Sequence, residues 1–292
     1  MDERHRGSDA APDRFLAPAR HTDAVTTMHR WTVGVVDIVR IEDADFSLPS
    51  ERAVPEWCIP DLAPSRHEVG IAFSALALRS GATRIVVDPW MADDNPRDQS
   101  DATEHGARLL GELADAGFPA DEVDLVVNTH LDGIGWNTRP TADGWVPSFP
   151  RARYLYPADE VAAINAGEEI YGRAGFEQLD AAIGVELVEP PLELTDEVTL
   201  VNAPGHNWGH VAVRVESRDE LAIYPGHLVL TPWQIDDPSS EDNDDPQAAV
   251  AVATRRAILD ELADRRGLLL TTLLGGSGGG VVRRAGPGFA LA

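Results

Sequence analysis

Val127-Asn128-Thr129-His130-Leu131-Asp132-Gly133-Ile134-Gly135-Trp136-Asn137-Thr138 is the stretch on which the fold turns. Leu125–Asn128 is apolar and β-branched and reads as a short buried strand. It runs straight into Thr129-His130, and glycines at 133 and 135 then break the chain direction. A side chain placed just past a buried strand is held rigidly while its tip enters a cleft. That is where a metal ligand or a catalytic base is best preorganised.

Upstream, Val33–Val39 reads as a strand, 43–66 as a Pro-, Asp- and Ser-rich loop, and His67–Ala75 as a further strand. Ile85-Val86-Val87-Asp88 is a short buried strand delivering a carboxylate to a loop, with Asp88 expected as a loop anchor. Asp101-Ala102-Thr103-Glu104 has the form of a capping box, Leu109, Leu110 and Leu113 share one helical face, and Gly117 closes that helix. Downstream come a strand at Tyr154–Tyr156 and a helix from about Ala158. Strands follow at Val185–Val188, Val198–Asn202, Val211–Val215 and Leu221–Tyr224, then a helix opening at Asp245-Pro246 and a long last strand Leu268–Leu274. This order fits neither a simple Rossmann alternation nor an all-β domain. Two sheets flanked by helices, an α/β four-layer αββα sandwich, is the economical solution. Residues 28–292 read as one domain, and the polar residues 1–27 as a disordered extension.

Two further segments place histidine after a strand: Ala203-Pro204-Gly205-His206-Asn207-Trp208-Gly209-His210 and Tyr224-Pro225-Gly226-His227. Together with the opening stretch they resemble the metallo-β-lactamase superfamily, in particular its lactonase- and organophosphate-hydrolase-like branch. Thr129-His130-Leu131 with Gly135-Trp136-Asn137-Thr138 is similar to T-H-L-H-x-D-H-x-G-W-N-T. Phe149-Pro150-Arg151-Ala152-Arg153-Tyr154 is similar to F-P-x-A-x-Y, and Pro204 to His210 to P-G-H-x-x-G-H. Gly226-His227 stands where the family has Gly-Asp, with Pro232 and Gln234 continuing that segment. The resemblance spans residue 33 to the C-terminus.

It implies an αββα fold, one or two metal ions, usually zinc, and hydrolysis of a small ester, lactone or related compound by activated water. The usual ligands are five His and two Asp, and this chain departs from them. The first segment is two residues short, Gly133 replaces a histidine, His227 replaces the bridging aspartate, and Leu273 stands in place of the histidine of T-H-F. His130, Asp132, His206 and His227 remain as metal-ligand candidates, acceptable to zinc or another divalent transition metal in tetrahedral geometry. Asp132 is either the fourth ligand or a general base. The set implies at most one ion per chain. The alternative is a metal-free, inactive relative that binds a small molecule or acts as an interaction protein. His210 is expected to pack behind His206, and Trp136, Trp208 and Trp233 to flank the cleft.

Composition narrows the partners. Acidic residues number 49 against 24 basic, all of them Arg, for a net charge of -25 over 292 residues. Such a field disfavours nucleic acid and anionic membranes but gives no clue to the substrate; the small-molecule partner is what the resemblance implies. Cys58 is the lone cysteine, so no intrachain disulfide forms. No apolar run is long enough to span a bilayer. No signal peptide is evident, so the expected compartment is the cytoplasm. Gly275-Gly276-Ser277-Gly278-Gly279 fits G-x-S-x-G, yet Val281–Arg284 after it reads as strand, and no histidine follows residue 227. A serine nucleophile elbow needs both a helix and a later histidine.

Overall fold

The computed structural model describes residues 28–89, 99–131, 137–141, 144–167, 184–240 and 245–292. The extension 1–27 and Asp132 with its neighbours 133–136 lie outside them. Two seven-stranded sheets form, in the orders β1-β2-β3-β4-β5-β8-β9 and β10-β11-β12-β13-β14-β15-β16. The first sheet holds β1 (Met28–Val33), β2 (Val36–Pro49), β3 (Glu68–Ser80), β4 (Thr83–Val87), β5 (Leu125–Val127), β8 (Arg153–Pro157) and β9 (Glu186–Val188). The second holds β10 (Leu192–Glu193), β11 (Val198–Asn202), β12 (Val211–Ser217), β13 (Glu220–Tyr224), β14 (Leu268–Leu270), β15 (Gly279–Ala285) and β16 (Gly288–Leu291). A separate ribbon pairs β6 (Thr138–Thr141) with β7 (Gly144–Pro147).

Alternation along the strands explains the layering, because successive side chains leave opposite faces. Ile85 and Val87 of β4 join Ile38, Leu76, Val213, Val215, Ala222 and Tyr224 in a core between the sheets. Val86, between them in sequence, faces the other way and packs with Leu109 and Leu113 of α1 (Gln99–Asp115) and Val161 and Ile164 of α2 (Ala158–Ala166). On the second sheet Leu221 and Ile223 point outward onto Leu259 and Leu262 of α4 (Ala248–Arg265). A short α3 (Pro232–Asp236) lies before it. Each fully buried aliphatic side chain of this kind contributes about 1.5–3 kcal/mol. The result is helices, sheet, sheet, helix: the four-layer sandwich expected from the element order.

Several elements differ from the sequence reading. The first strand is a hairpin, β1 and β2, turning at Gly34, which takes φ +60° and whose added Cβ would lie 2.3 Å from the Ser217 hydroxyl. β2 then runs on to Pro49, through part of the expected loop, because β3 supplies a partner along its whole length, with one register shift between Glu42 and Ala44. α1 begins at Gln99, so the Asp101 box sits inside the helix and not at its cap. The last long strand stops at Leu270: the Thr271 hydroxyl and backbone amide both donate to the Gly278 carbonyl and turn the chain. Ser277 lies in that turn, its hydroxyl donating to Gly279 O at 2.8 Å, and the strand β15 follows it. The turn is thus structural, with no helix after the serine.

A charged residue is buried between the sheets. Arg40, on the inward-facing side of β2, is fully buried. It donates to Ser74 Oγ at 2.9 Å, Glu42 Oε1 at 2.8 Å, Gly276 O at 2.8 Å and Leu274 O at 2.7 Å, pinning the 271–278 turn to the first sheet. Among the described residues no helix is long and apolar enough to cross a membrane.

Candidate metal centre

Strand direction collects the site. β4 and β5 are parallel, β13 and β14 are parallel, and β11 runs the same way as β13, both being antiparallel to β12. The carboxyl ends of β4, β5, β11, β13 and β14 therefore lie along one rim of the sandwich. They release Asp88, Thr129-His130, His206, His227 and Thr271-Thr272 respectively. The two sheets are stitched at this rim by Val211 N donating to Thr129 O at 2.9 Å.

Asp88 is the hub of the first half. It takes φ 41°, a left-handed conformation uncommon for a residue with a side chain. Its Oδ1 accepts from the Thr129 amide at 2.7 Å, and its Oδ2 accepts from the Thr129 hydroxyl at 2.6 Å and the Tyr224 hydroxyl at 2.8 Å. Burial pushes the Asp88 carboxyl up from its usual pKa, and these three donors pull it back down. Asp88 is thus the loop anchor expected of it. The Tyr224–Asp88 bond carries the network from the first sheet to the second, where Tyr224 OH is also 3.0 Å from Thr272 Oγ1.

From Thr129 the network reaches the histidines. The Thr129 oxygen lies 2.9 Å from His130 Nδ1. A hydroxyl has one proton to give, and Thr129 gives it to Asp88, so it accepts from His130 Nδ1–H. The His130 lone pair is then on Nε2, 2.9 Å from His227 Nδ1, which donates to it. Burial first, then the neighbouring His227, His210 and His206, hold the His130 pKa well below the usual imidazole value, so this ring is neutral at pH 7.

His206 is supported from a different direction. Its Nδ1 is 2.8 Å from Asp245 Oδ1, and Asp245 Oδ2 is 3.5 Å from the fully buried guanidinium of Arg255. His206 meets His130 edge to face with ring centroids 5.3 Å apart, and His227 at 5.2 Å. Exposures of 4% for His130, 5% for His206 and 7% for His227 put all three out of bulk water. One ligand atom from each lies within 4.8 Å of the others, and this trio is the one such group among the described residues. The structure therefore brings together the three candidate histidines; the fourth candidate, Asp132, lies outside the described residues.

The donor set suits a divalent cation. Three imidazoles are a known zinc environment with one position left open, and nitrogens around tetrahedral zinc are about 3.3 Å apart. Closing from 4.8 Å to that spacing asks for ring movements of roughly 1.5 Å at most. Ligation also requires neutral imidazole, the state that burial favours at His130. Leu273 has no donor side chain and uses its backbone carbonyl to accept from Ala72 N at 3.0 Å.

His210 packs against His206 edge to face, with ring centroids 5.7 Å apart, and also stacks on His130, 4.9 Å away and at 30°; its Nε2 accepts from the His227 amide at 3.2 Å. Glu160 on α2, Asp245 and Arg255 went unassigned. Glu160 is fully buried and accepts from Gly209 N at 2.8 Å and Leu131 N at 3.4 Å, tying two of the histidine loops together. Its one sequence signal is a carboxylate four positions before Ile164, on the apolar face of the helix. Of the three tryptophans, Trp136 lies outside the described residues, Trp208 is 38% exposed, and Trp233 donates to Ala53 O at 2.9 Å.

No family model matches the chain, and no curated protein sequence matches it. Solved structures do. The dizinc quorum-quenching lactonase AidC, solved with a homoserine product, aligns with a TM-score of 0.69 at 19% identity over 91% of this chain and 97% of its own. The hydrolase AbOPH, of the beta-lactamase superfamily, aligns with a TM-score of 0.70 at 19% identity over 92% and 97%. A probable metal-dependent hydrolase from Staphylococcus aureus aligns at 0.64 and 13% identity over 83% and 91%. The protein has the metallo-β-lactamase fold in the form these hydrolases take, and among its described residues His130, His206 and His227 form a group that could hold a metal ion.

Proposed function

We propose that the protein is a hydrolase of small esters or lactones that works with a single divalent ion, zinc in the first instance, held by His130, His206 and His227. The observation that carries this reading is that the supports behind the ligands are intact although the ligand set is short. His130 and His206 each have Nδ1 engaged, by Thr129–Asp88 and by Asp245, which leaves Nε2 of each for a shared centre. Metal-binding histidines usually have their second nitrogen fixed by a carboxylate or carbonyl in this way. Solved proteins of the same fold include a dizinc lactonase.

A bound divalent ion supplies a Lewis acid and lowers the pKa of water. The chain's own residues do the rest. The three buried rings line the centre, Asp88 orients His130 through Thr129, and Asp245 orients His206. Asp132, two positions after His130, serves in this reading as fourth ligand or as the base that takes a proton from water. A second ion lacks donors at Gly133 and Leu273, and an imidazole at 227 bridges two cations poorly.

One observation favours the metal-free alternative: the 2.9 Å contact between His130 and His227 lets the two rings satisfy each other. Metal analysis of protein purified without a histidine tag separates the readings. One equivalent of zinc per chain, with turnover of a lactone or ester panel that a chelator abolishes, is expected. Two equivalents would refute the single-ion site, and none after zinc supplementation leaves the inactive relative.

A further inference from the structure

His206 sits in a loop whose own strand does little to orient it. The Pro204–His206 segment instead leans on the beginning of α4 at every step. Gly205 has φ +129°, and a Cβ there would lie 2.2 Å from the Ala251 backbone nitrogen, so the helix approaches as closely as a glycine allows. Thr254 Oγ1 donates to Pro204 O at 2.9 Å, and Gln247 N donates to Gly205 O at 3.3 Å. Asp245 then reaches His206 Nδ1 at 2.8 Å from a side chain that is itself 3% exposed.

Behind Asp245 is Arg255, one α4 residue with five donors. Its guanidinium donates to Leu228 O at 2.5 Å and to Pro238 O and Ser240 O at 3.0 Å each, and lies 3.5 Å from Asp245 Oδ2. It thus grips the segment that follows His227, the loop before α4, and the carboxylate that touches His206. A buried guanidinium held by three carbonyls cannot shift without losing all three.

We infer that Asp245 is a positioning residue that turns His206 so that Nε2 is its ligating nitrogen, and that α4, through Arg255, sets the affinity of the site for its ion. Where His206 is a ligand, this rests on the three-histidine reading above; the tautomer of His206 does not. A neutral imidazole that donates from Nδ1 has its lone pair on Nε2 and nowhere else.

Two measurements test it. In the zinc-free protein, long-range proton–nitrogen spectra of ¹⁵N-histidine at pH 8 report the tautomer of each ring. His206 is expected as Nδ1–H in the native chain and to lose that preference in Asp245→Ala. Competition with a chromophoric chelator, zinc being the probe, is expected to show binding weakened about 10–100-fold in the same variant. Should Asp245→Ala not fold, Asp245→Asn is read in its place: weaker zinc binding supports the assignment, native affinity overturns it. An unchanged His206 tautomer together with native zinc affinity in Asp245→Ala overturns it as well. If the native chain takes no zinc, the single-ion reading fails while the tautomer result still decides the role of Asp245.

Discussion

His130 hangs from the end of a buried strand, and its support, Thr129, is its neighbour in sequence; His206 rests on a carboxylate 39 positions further along the chain. The first half of the site is built from hydroxyls and one carboxylate inside the sandwich: Asp88, Thr129, Tyr224 and Thr272. The second half is built from Asp245, just before α4, and the buried guanidinium of Arg255 on α4, the helix that covers the second sheet. Each half has its own buried arginine nearby. Arg40 pins the turn after β14, and Arg255 pins the loop before α4. One half is therefore as rigid as the sheets themselves, and the other is as rigid as the docking of α4.

Removing the arginines should give the largest effects and separate the halves. Arg255→Met leaves Leu228, Pro238 and Ser240 carbonyls without their donor and Asp245 without its counter-charge. Breaking a buried charge network from one side costs about 3–5 kcal/mol. Urea unfolding should show that loss, and chelator competition should show weaker zinc binding. Arg40→Met should cost a similar amount, since it strands Glu42 and the 274 and 276 carbonyls, yet leave the His206 tautomer alone. A change at His206 in Arg40→Met would mean that the two halves are not separable.

Asp88→Ala comes next. It removes the acceptor of the Thr129 amide, the Thr129 hydroxyl and the Tyr224 hydroxyl together. A buried donor left unsatisfied costs about 1–3 kcal/mol, and part of the loss is recovered where Tyr224 turns to Thr272. Asp88→Asn should cost less, because Asn accepts a positive φ more readily than other residues and keeps one acceptor oxygen. Urea midpoints of the two variants test that order; equal losses would argue against the left-handed backbone as a cause.

This contrast also decides what could be read in advance. The sandwich was legible because its cause is local: β4, β12 and β13 alternate strictly between the inter-sheet core and an outer face, and the histidines follow strand ends directly. Asp88 was legible as an anchor for the same reason. Asp245 and Arg255 were not, because nothing in Asp245-Pro246 beyond a helix start reveals a partner at His206. Arg40 could not be placed either: an arginine within an apolar stretch of strand gives no sign that the Leu274 and Gly276 carbonyls wait for it across the sheet gap. The early end of β14 likewise depends on Gly278, a contact the apolar run Leu268–Leu274 does not announce.

The pH response should expose the strand-held half. His130 is held neutral in the fold, its pKa well below that of an unfolded chain. Between those two values the unfolded chain binds more protons than the native one, so stability rises with pH. Its contribution is complete above the unfolded-state value near 6.5 and is lost as pH falls below it. Urea unfolding at pH 7.5 and 5.5 should show a drop that is smaller in His130→Gln. An identical drop in that variant would place the titrating group elsewhere.

The smallest effect is expected at the one exposed aromatic among the described residues of the histidine loops. Trp208 is 38% exposed between His206 and His210. The loop around it is fixed by Gly209 N on Glu160 and by Ala203 N on His210 O at 3.0 Å, bonds that do not involve the indole. Trp208→Ala should therefore change stability by no more than about 0.5 kcal/mol and leave the zinc stoichiometry as it is. Both halves of the site are held from behind, by buried polar groups. A rise in KM for a lactone with unchanged kcat in Trp208→Ala would assign the indole to substrate contact. Loss of zinc in that variant would show instead that the open face, and not α4, carries part of the support for His206.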